Sequence, residues 1–439
     1  MKKIRSLWIL LFGIIAILGF ALPASAFCGF YVAKADSNLY NQASQVIIAR
    51  DGDRTVLTMA NDYQGDVKDF ALVVPVPVIL KEEQVNVGNP TLIKRLDAFS
   101  APRLVEYFDE NPCAPRPPVP MMESMQAPSA GRGVMSNEAE ADLGVTVEEE
   151  FSVGEYDIVI LSAKESNGLE TWLIQNGYKI PKGAKDLLQP YIRQGLKFFV
   201  AKVNLEEFET SGYEFLRPLM MAYESSRFML PIRLGMMNAQ GEQDLIVYLL
   251  SPDGQVELTN YRTAQIPSNV EIPEFVKSEF DDFYRSMFET THKREGRKVA
   301  FVEYAWDMGS CDPCSAQPLN PDELREAGVF WLTPGQRQNV FITRLHVRYA
   351  RDTFPEDLRF QETANRQFFQ GRYVMRHPYR GEMNCSAAQP YQRNVRQRQE
   401  EEAQTLARLT GWDIQNIRQK VDFVEAQDIP WWRNLWPFD

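Results

Sequence analysis

The sequence predicts an α+β fold: a predominantly antiparallel β body with helical insertions and a helical C-terminal tail. Three observations carry this. Apolar, β-branched stretches of strand length recur along most of the chain, turn residues separate many of them, and the final part changes to a polar helical pattern that ends in tryptophans.

In residues 1–26, Lys2, Lys3 and Arg5 precede an apolar run to Leu22, and Ala24-Ser25-Ala26 forms a small-residue cleavage site. The run is shorter than the ~20 residues that cross a bilayer, so the segment reads as a cleaved secretory signal and the mature chain as starting at Phe27. Bulky Phe27 before Cys28 speaks against a lipid anchor, because lipoprotein processing requires a small residue there.

Residues 27–113 read as an N-terminal α+β part of the body. QVIIAR (45–50) and RTVLTMA (54–60) flank Asp51-Gly52-Asp53, which predicts a hairpin. FALVVPVPVIL (70–80) predicts a buried strand through Val74 that leaves the sheet at Pro75 and Pro77. Asn89 and Pro90 read as the N-cap and first residue of a helix with Leu92, Ile93, Leu96 and Phe99 on one face. Residues 114–150, with five prolines among Met, Ser, Gly, Ala and acids, read as a disordered or extended loop.

Residues 151–350 read as a β-rich body with a helix pair. EYDIVILSA (155–163) is a strand. A helix begins around Asn167-Gly168-Leu169-Glu170, a second ends near Gly195, and LKFFVAKVNL (196–205) is the next strand. RPLMMAY, RFMLPIRLGMM and QDLIVYLLS, with turn residues between them, suggest an antiparallel meander. KVAFVEYAW (298–306) and NVFITRLHVRY (339–349) are strands flanking CDPCSAQPLNPDELREAG, which holds a short helix from about Pro321 to Ala327. Residues 351–439 form a C-terminal extension. Its polar helix, about Asn394 to Leu409, pairs Arg396 with Glu400 and Arg398 with Glu402 on a face read as solvated.

The net charge of −12 becomes more acidic once the basic signal is removed, which excludes non-specific nucleic-acid binding. With 44% hydrophobic and 12% aromatic residues the chain has the material for substantial cores and two or three domains. In an exported chain the five cysteines, Cys28, Cys113, Cys311, Cys314 and Cys385, are disulfide candidates. The expected pairs are Cys28 with Cys113, and one bridge within the group Cys311, Cys314 and Cys385.

FCGFYVAKADSNLYNQASQVIIARDGDRTVLTMANDYQGDVKDFALVVPVP, SAPRLVEYFDENPC and ETWLIQNGYKIP resemble the secreted bacterial family catalogued as domain of unknown function 2330, with the likeness running to about residue 350. The resemblance implies export and a bacterial source. It supplies no activity, cofactor or site residue.

Candidate chemistry is sparse. Cys311-Asp312-Pro313-Cys314 has the spacing of thiol–disulfide exchangers, but the prolines beyond it allow no helix to start at Cys311, so structural bridging is the preferred reading. Zinc held by Cys311, Cys314, Cys385 and His377, or a soft ion held by Met121, Met122, Met125 and Met135, is the weaker metal reading, and no metal or cofactor is assigned. Among the three histidines, His292 reads as lying in a charged loop. His346 alternates with Arg344 and Arg348 on a strand face that reads as solvated and able to attract an anion. No hydrolase, phosphate-loop or EF-hand motif is present. Trp431, Trp432, Trp436 and Phe438 either dock on the body, the favoured fate, or contact an envelope protein or membrane surface. The leading reading is a non-catalytic cell-envelope binding or scaffolding module, periplasmic or extracellular. Its rivals are a redox enzyme using Cys311 and Cys314 and a hydrolase using carboxylates that the sequence does not single out.

Overall fold

A computed structural model describes residues 30–33, 40–41, 44–60, 63–64, 70–114, 145–164, 166–176, 184–212, 216–237, 241–312, 315–333 and 338–425. The signal segment, Cys28, most of the Pro- and Met-rich loop with its four methionines, Cys314 and the Trp cluster lie outside the described residues.

β1 (Phe30–Ala33) precedes the predicted hairpin, in which β2 (Ser44–Asp51) and β3 (Arg54–Ala60) pair from Gln45↔Ala60 to Asp51↔Arg54. Gly52 closes it at φ 59°, a conformation that side-chain-bearing residues avoid. β4 (Phe70–Val76) continues past Val74, where the sequence predicts it to leave the sheet, and Pro75 stays in register with Phe198. The reason is one-sided pairing. β1 reaches only to Phe30↔Val73, so among the described residues Pro75 has a strand neighbour on one side, the edge condition that tolerates a missing N–H.

β5 (Val85–Val87) leads into α1 (Pro90–Ser100), where the Thr91 N–H donates to the Asn89 side chain and Leu92, Ile93, Leu96 and Phe99 are buried, as predicted. After β6 (Arg103–Phe108) come β7 (Val145–Val153), β8 (Tyr156–Ala163), α2 (Ser166–Gln175), α3 (Ala184–Arg193) and β9 (Lys197–Val203). That is the predicted strand, helix, helix, strand order, and β8 and β9 pair antiparallel from Tyr156↔Val203 to Leu161↔Phe198.

β10 (Leu219–Glu224) and β11 (Gln243–Ser251) are not part of a meander. β10 pairs with β3 and β11 runs parallel to β2, so the first hairpin lies between them, while Met229–Leu230 pairs with Leu358–Arg359. Turn residues specify that the chain reverses, not which strand it then joins. Next in the chain are β12 (Arg262–Gln265), β13 (Val270–Glu271), α4 (Phe280–Arg294) and β14 (Val299–Asp307). α5 (Pro321–Glu326) starts at a reciprocal cap between Asn320 and Glu323, and β15 (Phe341–Tyr349), β16 (Arg372–His377), α6 (Ala388–Thr410) and α7 (Ile414–Lys420) complete the order.

These elements form two compact units, each assembled from separated stretches. The larger comprises Met1–Ala101, Leu143–Gln265 and Glu295–Gln370. Its five-stranded antiparallel sheet has the order β1-β4-β9-β8-β7, and its nine-stranded sheet runs β12-β14-β15-β11-β2-β3-β10-β5 with Phe369–Gln370 added against β14. Strand alternation explains the layering. Val46 and Ile48 join a core with Leu72, Val74, Ile158, Ile160 and Phe199 of the other sheet, whereas Ile47 and Ala49 pack with Leu92, Leu96 and Phe99 of α1 and Leu324 of α5. On its far face the five-stranded sheet packs Val73, Phe198 and Val200 against Leu169, Leu173, Leu188 and Tyr191 of α2 and α3. The unit is therefore two face-to-face sheets with helices covering both outer faces.

The smaller unit comprises Pro102–Asp142, Ile266–Arg294 and Gly371–Asp439. Its three strands, β13-β16-β6, are parallel. Phe283 of α4 meets Tyr373 of β16 edge-on at 4.8 Å, and the Thr290 hydroxyl of α4 donates to the Thr410 carbonyl at the end of α6. Cys113 is bonded to Cys385, correcting the expected bridge to Cys28. The parallel register Phe108↔His377 explains it: the segments leaving β6 and β16 emerge from the same end of the sheet. α6 is longer than predicted, and the face expected to be solvated is so only in part: Arg396 is exposed and Arg398 and Glu400 are half-buried, but Glu402 is buried. The fold is α+β, mostly antiparallel, with a helical C-terminal region.

Candidate functional site

β15 alternates as the sequence predicts, with Leu345, Val347 and Tyr349 in the core between the sheets. Its other face carries Arg344, His346 and Arg348 and is not solvated: Arg344 is 6% and His346 8% exposed. The correction has a physical cause, because each cation meets a carboxylate from a neighbouring element. β11 brings Asp244 opposite Arg348 and Ile246 opposite His346. On the other side the β14/β15 register shifts between Val302 and Tyr304, so Glu303 sits at an irregularity of the ladder, the kind of place where a side chain is re-aimed. α1 contributes Asp97 and Ser100.

The distances define one network. Arg344 donates through Nε to Glu303 Oε2 at 2.6 Å and through Nη1 to Asp97 Oδ1 at 2.7 Å. His346 places Nδ1 2.7 Å from Glu303 Oε1 and Nε2 3.1 Å from Asp244 Oδ1. Arg348 donates to both oxygens of Asp244, at 2.8 and 2.7 Å. The Tyr248 hydroxyl donates to Asp97 at 3.1 Å, and burial pushes its pKa up.

Burial opposes the charged form of His346, yet Glu303 and Asp244 outweigh it and hold the pKa above the usual histidine value. Burial would likewise raise Asp244, but His346 and Arg348 hold its carboxyl below the usual range. A carboxylate at each ring nitrogen favours the imidazolium, the form in which both nitrogens donate. In that form the ring offers no lone pair to a metal or to a substrate proton. Three cations face three carboxylates, so the row has no excess positive charge with which to hold an anion. Sequence reasoning missed all three carboxylates, Asp97, Asp244 and Glu303, the last 1% exposed. The signal for Glu303 was a single carboxylate inside the apolar run KVAFVEYAW.

Of the other singled-out residues that the structure describes, Cys113 and Cys385 are joined by the disulfide and the rest form no second cluster. The bridge expected within Cys311, Cys314 and Cys385 is corrected at Cys385, which bonds Cys113 instead; Cys311 is exposed and, among the described residues, outside any disulfide, and no helix starts there, since α5 begins at Pro321. The next residue, Asp312, is buried and accepts from the Tyr304 hydroxyl at 2.9 Å and from Gln370 at 2.8 Å. Cys385 is in its disulfide, which removes it from a thiolate set for zinc, and His377 instead lies between Glu274 at 2.8 Å and Glu106 at 2.9 Å. His292, read from the sequence as a loop residue, is buried in the last turn of α4. Among the described residues no group of three or more His, Cys, Asp or Glu is arranged to hold a metal ion, and no helix is long and apolar enough to cross a membrane.

Fold and site together define an α+β protein whose most developed polar constellation is internal and charge-balanced. The chain belongs to the bacterial family described as uncharacterized protein conserved in bacteria (DUF2330), whose model matches residues 22–361. β16 and the two C-terminal helices lie beyond the matched range. No curated protein and no solved structure matches the chain.

Proposed function

We propose that the chain is an exported, non-catalytic binding or scaffolding module of the bacterial cell envelope. The observation that carries this reading is the neutralisation of Arg344, His346 and Arg348 by Asp97, Glu303 and Asp244, which gives the strongest polar cluster a structural role in place of a catalytic one. The signal pattern of residues 1–26 and the Cys113–Cys385 disulfide support an oxidising destination. The test is expression of the full chain in a bacterial host, then fractionation and N-terminal sequencing. Recovery from the periplasm or medium with Phe27 first is the expected result, and a cytoplasmic chain that keeps residues 1–26 contradicts export.

A redox reading draws on one observation, the exposed Cys311, unbonded among the described residues, in the sequence Cys311-Asp312-Pro313-Cys314. Insulin reduction by the purified protein tests it. Turnover that is lost in Cys311→Ser would replace the non-catalytic reading, and activity at buffer level retains it.

A further inference from the structure

The described part of the smaller unit ends beside a basic groove. The groove, about 460 Å³, lies between α6 and α7 and is lined by Arg393, Arg396, Gln397, Glu400, Arg418 and Phe423. That is within the ~300–1,000 Å³ range of pockets that enclose a sizeable ligand. Glu400 is paired with Arg418, which leaves the lining with more positive than negative charge in a protein whose net charge is −12.

The chain itself leads into this groove. The buried Gln399 side chain donates to the Asp422 carbonyl at 2.9 Å and accepts from the Val424 N–H at 2.9 Å, clasping residues 422–424 along α6 as a strand partner would. The Arg396 guanidinium lies over the Phe423 ring, 5.2 Å from its centroid, so an arginine of the lining already takes an aromatic face from this segment. The rest of the tail has a composition complementary to the groove. Residues 426–439 carry Asp428 and Asp439 against a single Arg433, together with Trp431, Trp432, Trp436 and Phe438. Trp431 is six residues beyond Glu425, a reach of at most ~20 Å at full extension.

We propose that residues 426–439 fill the α6–α7 groove of their own chain, with Trp431 or Trp432 stacked on Arg393 and Arg396. The occupant is the chain's own tail because the groove lies where the clasped segment arrives, and because an acidic, aromatic stretch suits an arginine-lined wall. Docking of this kind covers the tryptophans and keeps them from membranes and neighbouring proteins. It goes beyond the proposed envelope role, which does not depend on it.

The experiment uses the mature chain with Cys28→Ser, Cys311→Ser and Cys314→Ser, which leaves the Cys113–Cys385 pair, and with Arg393→Cys and Trp432→Cys added. Mild oxidation is expected to give an intramolecular cross-link in the monomer. A cross-link between two copies overturns the proposal in favour of a neighbour's tail. The absence of any cross-link, with tail-dependent binding to phosphatidylethanolamine–phosphatidylglycerol vesicles, overturns it in favour of a membrane contact. Limited proteolysis gives a second readout that needs no new cysteine. In Arg393→Glu/Arg396→Glu, two exposed positions, cleavage within residues 426–439 is expected to accelerate on the order of tenfold while the body stays intact. An unchanged cleavage rate counts against docking.

Discussion

Glu303 Oε1 lies 2.7 Å from Nδ1 of His346 in the interior of the larger unit. The same carboxylate binds Arg344 through its other oxygen at 2.6 Å. One carboxylate therefore bridges two cations of a row that looks, on sequence alone, like an anion-binding face.

Removing that charge is expected to be costly. Glu303→Gln keeps the shape of the side chain but leaves Arg344 and His346 facing a neutral group, and breaking one side of a buried pair costs about 3–5 kcal/mol. Urea unfolding of the two proteins at one pH checks the value. A loss below about 1 kcal/mol would mean that solvent reaches the network.

The pH dependence has a definite sign. His346 has a folded pKa above its ordinary 6.5, so its contribution is fully present below 6.5 and is lost as pH rises through the folded value. Asp244 has a folded pKa below its ordinary 3.8, so its contribution is present above 3.8 and is lost as pH falls. The network is strongest between these limits. The stability difference between the native protein and His346→Gln is expected to be largest near pH 5–6 and to shrink on the alkaline side. A difference that does not vary with pH contradicts this assignment.

Glu402 behaves in the opposite way to an ordinary surface glutamate. It is 4% exposed, Arg398 Nε stands 3.4 Å from its Oε1 without hydrogen-bond alignment, and burial pushes its pKa up to about 8, with Glu271 and Glu274 adding to the rise against the pull of Arg398. Between 4.5 and about 8 the folded chain keeps a proton that the unfolded chain releases, so stability falls as pH rises through that window. Glu402→Gln is expected to raise stability at pH 8 by on the order of 1–3 kcal/mol and to leave pH 4 nearly unchanged. Parallel pH profiles for the two proteins would sink this account.

The disulfide is expected to matter for the smaller unit. Cys113 and Cys385 are 272 residues apart in sequence, and losing a bridge that closes a long loop typically costs ~2–4 kcal/mol. Non-reducing peptide mapping should recover the Cys113–Cys385 pair, and melting of Cys385→Ser measures its contribution. Recovery of Cys113 joined to Cys28 would overturn the assignment.

Local signals were legible in the sequence because their causes are local. Asn89-Pro90 capped α1, Gly52 turned the first hairpin, and the strand, helix, helix, strand order of residues 155–205 came from periodicity and glycine stops. Partner choice was not legible. The segments expected to form a meander joined strands from distant parts of the chain, and Cys113 found Cys385 through a parallel pairing that no spacing announces. Alternation along β15 separated two faces correctly but gave no sign that α1 and Asp244 cover the charged one. A face of arginines and a histidine reads as wet until its carboxylates, 43 and 102 residues away in the case of His346, are placed beside it.

The most direct test is an NMR titration of the His346 ring nitrogens, made tractable by a chain with three histidines. The expected result is an imidazolium with both nitrogens protonated that persists above pH 6.5. A His346 ring that is neutral at pH 6.5 and titrates freely below it would contradict the charge-balanced network, and with it the case for a structural role in place of a catalytic one.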